Sequence, residues 1–340
     1  MGKMGQDRDV DKMNPRNLIP YINNFQNTTV AIIGDIIADH YIWGKVERIS
    51  PEAPVPIVDV NKENFMLGGA GNVANNILSL GGSIIIGGVA GNDEMGEWII
   101  NTLRTQGVDT TGIAVEEGRP TTRKTRVIAH SQHVVRFDRE SRGEISGQSQ
   151  EIILGFIKNH LKSIKVLVIS DYAKGVITRN LLKSVLDMAI ENNILVVVDP
   201  KLKHFDYYRG AAIITPNTLE ASAASGINIY DNETLCRAGE NLLNQSGSTA
   251  ILITRGEHGM SLFERGGRVT HIPAVAREVY DVTGAGDTVV STLALSLAAG
   301  AKFDEASILA NYAAAIVVGI VGTGTVNREQ IMAVLTGAEK

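Results

Sequence analysis

The sequence predicts an α/β fold: a three-layer α/β/α sandwich with a mainly parallel central sheet and a small inserted β-sheet lid. Two observations lead to this prediction. Short apolar strand segments alternate with helical segments along most of the 340 residues, which is typical of a parallel sheet covered by helices on both faces. Two segments rich in β-forming residues, at about 41–66 and 118–139, interrupt this alternation. The first contains Pro51, Pro54 and Pro56, which favour edge strands outside the main sheet.

Taken in order, the apolar runs and their polar boundaries define the elements. Main-sheet strands are predicted at 29–33, 83–89, near 113, and at 166–170, 194–199, 212–215 and 250–254. Helices are predicted from the glycine cluster at 68–71 to near 80, over 93–106, and at about 148–162, 178–191, 218–225, 231–245, 285–299, 304–320 and 327–336. Residues 1–14 are polar, so we expect a disordered extension there and one folded domain over 15–340.

Composition and charge exclude several classes of protein. The chain has 32 basic and 37 acidic side chains, a net charge of −5, and no long basic run, which argues against nucleic acid or an anionic membrane as the main partner. The longest apolar run is far shorter than the roughly 20 residues that span a bilayer. The single Cys236 fits a reducing compartment. We therefore expect a cytoplasmic protein without a membrane segment.

The stretch from Asp281 to Asp287 has the strongest chemical signal. Gly284, Ala285 and Gly286 are predicted to begin a long apolar helix. Small side chains at a helix N-terminus leave free backbone N–H groups open to a bound anion. Asp287 would lie in the first helical turn, where an acid either caps the helix or acts as a catalytic base. The stretch alone leaves both interpretations open.

A second glycine cluster lies at residues 68–71. Gly69, Gly71 and Ala74 match the dinucleotide pattern G-x-G-x-x-A, but the cluster follows a lid segment instead of the first long strand. A nicotinamide-dependent oxidoreductase is therefore disfavoured. The cluster still predicts a helix N-terminus at which Asn72 and Asn75 could bind hydroxyls, although the glycines could instead serve close helix packing. No Walker-type phosphate loop occurs in the sequence.

Polar residues follow several of the predicted strands, on the edge of a parallel sheet where ligands bind. Asp35 follows the first strand, and further clusters lie at 170–174, 199–201, 215–220 and 254–259. Asn217 and Glu220, three residues apart at a helix start, either cap that helix or hold Mg²⁺ through water. The lid carries four cations, which form either a solvated strand face or a ligand site: Arg123, Lys124, Arg126 and Arg136.

Together the two glycine motifs resemble the paired signatures of the ribokinase-like, PfkB-type carbohydrate kinases. The first motif is Gly68-Gly-Ala-Gly-Asn-Val-Ala-Asn75 and the second is Asp281-Val-Thr-Gly-Ala-Gly-Asp287. More narrowly, residues 33–56 and 67–75 are similar to the heptose-7-phosphate kinases of lipopolysaccharide core synthesis, with agreement at 170–175 and 198–201. Because the chain ends at Lys340, it resembles the form without a fused adenylyltransferase domain.

This resemblance implies a ribokinase-like fold and ATP-dependent phosphorylation of the anomeric hydroxyl of a heptose 7-phosphate, with Mg²⁺. It implies that Asp287 is the catalytic base, that Gly284, Ala285 and Gly286 form the anion hole, and that Asn217 and Glu220 serve metal and phosphate. The implied sugar site comprises Asp35, Asp39, Gly69, Asn72 and Asn76, with Arg123, Arg126, Arg136 and Lys174 as candidates for the substrate's own phosphate. The implied nucleotide site comprises Thr254, Arg255, Gly256, Gly259 and Asn311, and a homodimer would form through the lid.

Two other functions remain open at this point. A kinase of the same class could act on ribose, fructose, another sugar phosphate or a nucleoside. A non-catalytic sugar-binding regulator could use the same fold, although a pure binding protein has no need of a base such as Asp287.

Overall fold

Two β-sheets organise the chain, and the computed structural model describes residues 14–130, 132–275, 282–319 and 324–337. The strands are β1 Thr29–Gly34, β2 Ile36–Ile49, β3 Pro56–Gly69, β4 Ser83–Gly91, β5 Ile113–Glu116, β6 Arg123–Ala129, β7 Gln132–Arg139, β8 Val166–Ser170, β9 Leu195–Asp199, β10 Ile213–Ile214, β11 Ala250–Thr254, β12 Met260–Glu264 and β13 Arg268–Ile272. The α-helices are α1 Ile19–Asn23, α2 Ala70–Ser79, α3 Glu94–Thr105, α4 Gly147–His160, α5 Arg179–Glu191, α6 Thr218–Ser225, α7 Asn232–Ser246, α8 Ala285–Ala298, α9 Phe303–Val317 and α10 Arg328–Thr336.

The main sheet has nine strands in the order β13-β12-β11-β10-β9-β8-β1-β4-β5. Strands β11 to β5 run parallel to one another, and β12 and β13 form an antiparallel extension at one edge. The predicted α/β sandwich with a mainly parallel sheet is therefore confirmed. The sequence did not predict β12 and β13, because two five-residue strands joined by a glycine turn have little periodic signal of their own.

Both faces of the main sheet are buried. On β1, Val30 and Ile32 belong to the core that α2, α8 and α9 cover, whereas Ala31 and Ile33 belong to the core under α4 and α5. Alternate residues of a strand point to opposite faces, so a strand covered on both sides is apolar throughout. This is why β1, β8 and β11 were recognisable from the sequence.

The small sheet has four strands in the order β3-β2-β6-β7, with β2 parallel to β6. Its first hairpin is longer than the predicted 41–66, since β2 begins at Ile36 and β3 ends at Gly69. The main strand β1 ends only two residues before β2 begins, and Ile36, Ile37 and Ala38 are themselves buried. Burial that continues from β1 through Asp35 into β2 therefore hid the change of sheet.

Close packing of α2 against α8 places the two glycine motifs beside each other. The Ser291 hydroxyl of α8 donates to the carbonyl of Val73 at 3.1 Å, and the Thr288 hydroxyl donates to Oδ1 of Asn76 at 2.9 Å. Gly69 precedes α2 with φ of +56°, and a Cβ there would lie 2.4 Å from the carbonyl oxygen of Asp35. Only glycine fits this approach, so α2 starts directly against the end of β1.

Residues 1–13 and Asp281 lie outside the described residues, so the predicted disordered extension stays a prediction. Within the described parts of the chain, no helix is both long enough and apolar enough to cross a bilayer.

Candidate active site

Asp287 lies in the first turn of α8, where the two glycine motifs meet the ends of β1 and β8. Its side chain is buried, and both carboxylate oxygens accept hydrogen bonds. The amide of Asn72 on α2 donates to Oδ2 at 2.7 Å, and the Tyr172 hydroxyl donates to Oδ1 at 2.8 Å. Two donors from separate elements therefore fix the plane of this carboxylate.

Burial raises the pKa of Asp287 to about 6. The hydrogen bonds from Asn72 and Tyr172 lower this pKa, Asp39 raises it, and the nearby Lys124 lowers it. A carboxylate with a pKa close to neutral is a stronger base than an exposed one and is still ionised at pH 7.5. The environment therefore suits Asp287 to accept a proton from a hydroxyl group.

The backbone just before Asp287 is the predicted anion site. Gly284 precedes α8 with φ of +81°, a left-handed conformation that glycine adopts without strain. The Ala285 N–H donates to the carbonyl of Val282 at 3.2 Å, so it is less available for binding an anion than the sequence predicted. The N–H groups of Gly286 and Asp287 lie in the first turn, where the helix itself supplies no acceptor. These two N–H groups are therefore the main candidates for binding an anion.

A cavity of about 570 Å³ adjoins this helix start. Five residues predicted for the anion and nucleotide sites line it together with Asn311, namely Thr254, Gly256, Gly259, Ala285 and Gly286. Apolar side chains make up much of the remaining wall, including Met260, Ala274, Val275, Val289 and Val318. A largely apolar cleft with a few polar groups beside free N–H groups is suited to a purine base joined to phosphates.

Arg255 and Asn311 differ in how they relate to this cavity. Arg255 is not among its lining residues: its guanidinium donates to the carbonyl of His258 at 2.8 Å. The nucleotide contact predicted for Arg255 stays a prediction, and its guanidinium would have to leave the turn at 256–258 to make it. The Asn311 amide donates to the carbonyl of Pro273 at 2.8 Å and so holds one edge of the cavity.

Asn217 and Glu220 form a capping box at the start of α6. Asn217 Oδ1 accepts from the Glu220 N–H at 2.9 Å, and Glu220 Oε2 accepts from the Asn217 N–H at 3.1 Å. Lys201 donates to Oε1 of Glu220 at 2.9 Å. Asn217 and Glu220 therefore cap this helix, which was one of the two predicted interpretations. Both carboxylate oxygens of Glu220 already accept hydrogen bonds.

Asp35 is buried at the end of β1 and accepts three backbone hydrogen bonds. The N–H groups of Tyr172 and Lys174 donate to Oδ2 at 2.8 and 3.1 Å, and that of Val176 donates to Oδ1 at 3.0 Å. Asp35 therefore holds the loop after β8 in place. A role in binding a sugar hydroxyl, which the sequence predicted, would use the remaining lone pair of Oδ1.

The other predicted sugar-site residues divide into two groups. Asn72 and Asn76 lie at the site, and the Asn76 amide donates to the carbonyl of Asn72 at 2.9 Å. Asn75 lies elsewhere, because its side chain accepts from Gln106 of α3 at 3.0 Å. Successive residues of a helix are about 100° apart, so Asn75 points toward α3 while Asn76 faces the site.

Three of the four cations predicted for the substrate's phosphate already pair with carboxylates. Arg126 contacts Asp39 at 2.5 Å, Arg136 contacts Asp138 at 2.5 Å, and Lys174 contacts Glu140 at 2.5 Å. Gly68 permits the first of these pairs, since a Cβ there would lie 2.1 Å from Oδ2 of Asp39. Among the ion pairs formed by the described residues, none includes Arg123 or Lys124.

Sequence reasoning did not single out Tyr172 or Lys201 as site residues, and it named Lys124 only as one of the four lid cations. Lys124 Nζ lies 4.8 Å from the centre of the Tyr172 ring, and Lys201 Nζ lies 5.4 Å from it. Burial lowers the pKa of Lys124. Each residue belongs to a polar or basic cluster that the sequence did mark, but no spacing rule shows which members of a cluster face the carboxylate.

Comparisons with known proteins agree with this geometry. Residues 27–330 match the model of the pfkB family carbohydrate kinases. The chain is 52% identical over 301 residues to the bifunctional protein HldE of Geobacter sulfurreducens, which covers 88% of this chain and 61% of that protein. The chain thus spans about three fifths of that relative's length.

Two solved structures share the fold. Phosphofructokinase-2 of Escherichia coli, in complex with substrates and products, superposes with a TM-score of 0.73 at 18% identity, covering 91% of this chain and 99% of that one. Arabidopsis thaliana ribokinase with ribose and ATP gives a TM-score of 0.71 at 18% identity, covering 91% and 98%. At such low identity these two structures establish the ribokinase-like fold alone.

Proposed function

We propose that this chain, which belongs to the pfkB family of carbohydrate kinases, phosphorylates the anomeric C1 hydroxyl of D-glycero-D-manno-heptose 7-phosphate. Membership of the family, matched over residues 27–330, makes the chain an ATP-dependent sugar kinase. The choice of acceptor is supported by the likeness of residues 33–56 and 67–75 to the heptose-7-phosphate kinases, and by the 52% identity to a protein named HldE. The product would be the 1,7-bisphosphate, an intermediate of ADP-heptose and lipopolysaccharide inner-core synthesis.

The observation that supports this proposal most directly is the buried carboxylate of Asp287, next to the N–H groups at the start of α8. Asp287 takes the proton of the acceptor hydroxyl as that oxygen attacks the γ-phosphoryl group of ATP. The N–H groups of Gly286 and Asp287 stabilise the charge that builds on the phosphoryl oxygens. The base and the anion site are adjacent in the chain, so one helix start positions both partners of the transfer.

The nucleotide is assigned to the cavity beside α8. Its apolar wall, with Val289 of α8 and Val318 after α9, provides a surface for the adenine ring. Its polar end approaches Ala285 and Gly286, where the triphosphate would lie. The reacting phosphate is thereby brought to the side of Asp287.

Mg²⁺ fits this site as an ion held mainly by phosphates and water. Both oxygens of Glu220 already accept hydrogen bonds, one from Lys201 and one from the Asn217 N–H. A carboxylate engaged in this way is better suited to bind water molecules of a hydrated ion than the ion itself. Glu220 and Asn217 would hold Mg²⁺ through water, and the ion would neutralise phosphate charge.

Cations of the small sheet are proposed to bind the substrate's own phosphate. Arg126, Arg136 and Lys174 would have to exchange a carboxylate partner for the phosphate, whereas Arg123 has no ion-pair partner among the described residues. Arginine and lysine are the usual ligands of phosphate groups. Closure of the small sheet over the sugar would also exclude water and limit ATP hydrolysis.

A panel of acceptors tests the proposed substrate. ADP release is measured with Mg-ATP and, in parallel, heptose 7-phosphate, ribose, fructose, fructose 6-phosphate or no acceptor. We expect kcat/KM for heptose 7-phosphate to exceed that for ribose and fructose by about 10²-fold or more, because only a phosphorylated acceptor can bind the cations of the small sheet. Preference for another acceptor would reject the heptose assignment and keep the kinase. ATP binding without turnover of any acceptor would instead favour a sugar-binding regulator.

We further propose a cytoplasmic homodimer formed through the small sheet. Val60 of β3 and Val135 and Phe137 of β7 are each about half exposed, and such apolar side chains favour an interface. Phe137→Asp should convert a dimer to a monomer in sedimentation equilibrium, whereas Ile190→Asp, at an exposed position of α5, should leave it unchanged. A wild-type monomer, or a Phe137→Asp dimer of unaltered affinity, would reject this interface.

A further inference from the structure

Tyr172 is held more firmly than its place in a loop suggests. Its N–H donates to Oδ2 of the buried Asp35 at 2.8 Å, and the next N–H, that of Ala173, donates to Oδ1 of Asp171 at 2.7 Å. Asp171 is itself fixed by His204 and by Tyr208, whose hydroxyl donates to it at 2.6 Å. The backbone on both sides of the Tyr172 side chain is therefore anchored to buried carboxylates.

The backbone after Tyr172 is strained. Ala173 has φ of +55°, a left-handed conformation that costs a residue with a Cβ about 1 kcal/mol. Such strain persists where surrounding contacts impose it, and it is concentrated at functional sites. The loop thus keeps an unfavourable conformation that points the tyrosine toward Asp287.

The ring of Tyr172 is also held on its sides. Lys124, from strand β6 of the small sheet, lies 4.8 Å from the ring centre, and Lys201, after β9, lies 5.4 Å from it. Ammonium groups at such distances are attracted to an aromatic ring. One contact comes from each sheet, so the ring has a defined position between the small sheet and the main sheet.

The Tyr172 hydroxyl donates a hydrogen bond to the Asp287 carboxylate. Burial and the neighbouring Asp287 and Asp199 raise the pKa of Tyr172 well above its usual value, so the phenol keeps its proton. With Asn72 bonded to Oδ2, the bond from Tyr172 to Oδ1 leaves one orientation for the carboxylate.

We propose that Tyr172 is a positioning residue for phosphoryl transfer, which orients the Asp287 carboxylate toward the acceptor hydroxyl and keeps it ionised. This inference rests on the proposed role of Asp287 as the base. Tyr172 is not among the residues that line the nucleotide cavity, and its hydroxyl donates to Asp287. Its effect would therefore reach the reaction only through Asp287.

Tyr172→Phe tests this role, because phenylalanine keeps the ring and both lysine contacts and removes only the hydroxyl. We expect kcat to fall about 10-fold or more, with the sugar KM changed less than about threefold. Loss of a hydrogen bond to the ionised form raises the pKa of Asp287, so the acid limb of the pH profile of kcat/KM should move about half a unit or more to higher pH.

Other groups near Asp287 also titrate, and their effect on the acid limb has to be separated from that of Tyr172→Phe. The groups that face Asp287 are Asp39 from β2, Lys124 from β6, Tyr172 after β8 and Asp199 from β9. These groups and the acceptor's own phosphate, with a pKa near 6, are common to wild type and variant. The measured quantity is therefore the difference in pH between the acid limbs of the wild-type and Tyr172→Phe profiles, both recorded with the same acceptor.

Tyr21→Phe is the matched control, since it removes a tyrosine hydroxyl that donates to Glu305 of α9 and takes no part in the contacts that hold Tyr172 or Asp287. It should lower the melting temperature and leave the acid limb in place. Tyr172→Phe with a wild-type kcat and acid limb would overturn the inference, provided that Asp287→Asn is inactive. An active Asp287→Asn would instead reject the base on which the inference rests.

Discussion

Replacement of Asp287 by asparagine is expected to lower kcat by about 10³-fold, because the amide cannot accept the proton of the attacking hydroxyl. The side chain keeps its size and both hydrogen bonds: its oxygen still accepts from Asn72, and its amide can donate to the Tyr172 oxygen. The nucleotide cavity is untouched, so the dissociation constant for ATP should change less than about threefold. Turnover is measured by ADP release at saturating acceptor, and ATP binding by calorimetry.

The same substitution should stabilise the protein at neutral pH. Burial raises the pKa of Asp287 from its ordinary 3.8 to about 6, so the folded state binds the proton more tightly than the unfolded state. The free energy of unfolding therefore falls as the pH rises through this window, by about 3 kcal/mol for a shift of two units. Asparagine does not titrate, so the stability gain over wild type should be absent near pH 4 and complete above pH 6.

The changes in turnover and in stability together distinguish a catalytic role of Asp287 from a structural one. A variant that is inactive and more stable at pH 7.5, with ATP binding retained, is the outcome expected of a buried catalytic carboxylate. An inactive and destabilised variant would indicate a structural acid. Wild-type turnover would remove Asp287 from the mechanism.

Gly286→Val is expected to lower kcat/KM for ATP by about 10²-fold while leaving the protein folded. Gly286 lines the nucleotide cavity, and a Cβ at this position meets no atom within 4 Å. The substitution therefore adds a side chain to the space for the phosphates without a clash in the protein. Loss of close approach to the N–H groups of α8 would weaken both phosphate binding and charge stabilisation.

Gly155→Val is the matched control for this substitution. Gly155 lies within α4 on the surface, and a Cβ there also meets no atom within 4 Å. Both variants exchange a helical glycine for valine, so their effects on helix stability should be similar and small. If Gly286→Val and Gly155→Val had the same kcat/KM for ATP, the phosphates would have to lie away from Gly286.

Much of the main sheet could be predicted from the sequence, because strands buried on both faces are apolar throughout. Strand β11 and helix α6 have the predicted bounds, 250–254 and 218–225. The hairpin of β12 and β13 could not be predicted in the same way: its pairing partner β11 determines it, and local sequence carries little of that information. The start of β2 was missed because burial continues across Asp35 from one sheet to the next.

The candidate site was predictable where it depends on neighbours in the chain. Asp287 and the glycines before it form a continuous motif, and α2 carries Asn72 and Asn76 on one face. Tyr172 and Lys124 come together only through the packing of the loop after β8 against the small sheet. The ion pair of Arg126 with Asp39 depends on the register of β6 against β2. That of Lys174 depends on the packing of the loop after β8, and the contact of Arg255 with His258 depends on a local turn.

The position of the transferred phosphate tests the central proposal most directly. Wild-type protein is incubated with Mg-ATP and heptose 7-phosphate, and the product is examined by ³¹P NMR with correlation to the sugar protons. We predict a second phosphate signal coupled to the anomeric proton, which appears with wild type and is absent with Asp287→Asn over the same time. A new phosphate on any other carbon, or ADP and inorganic phosphate without a new sugar phosphate, would contradict the proposed anomeric kinase.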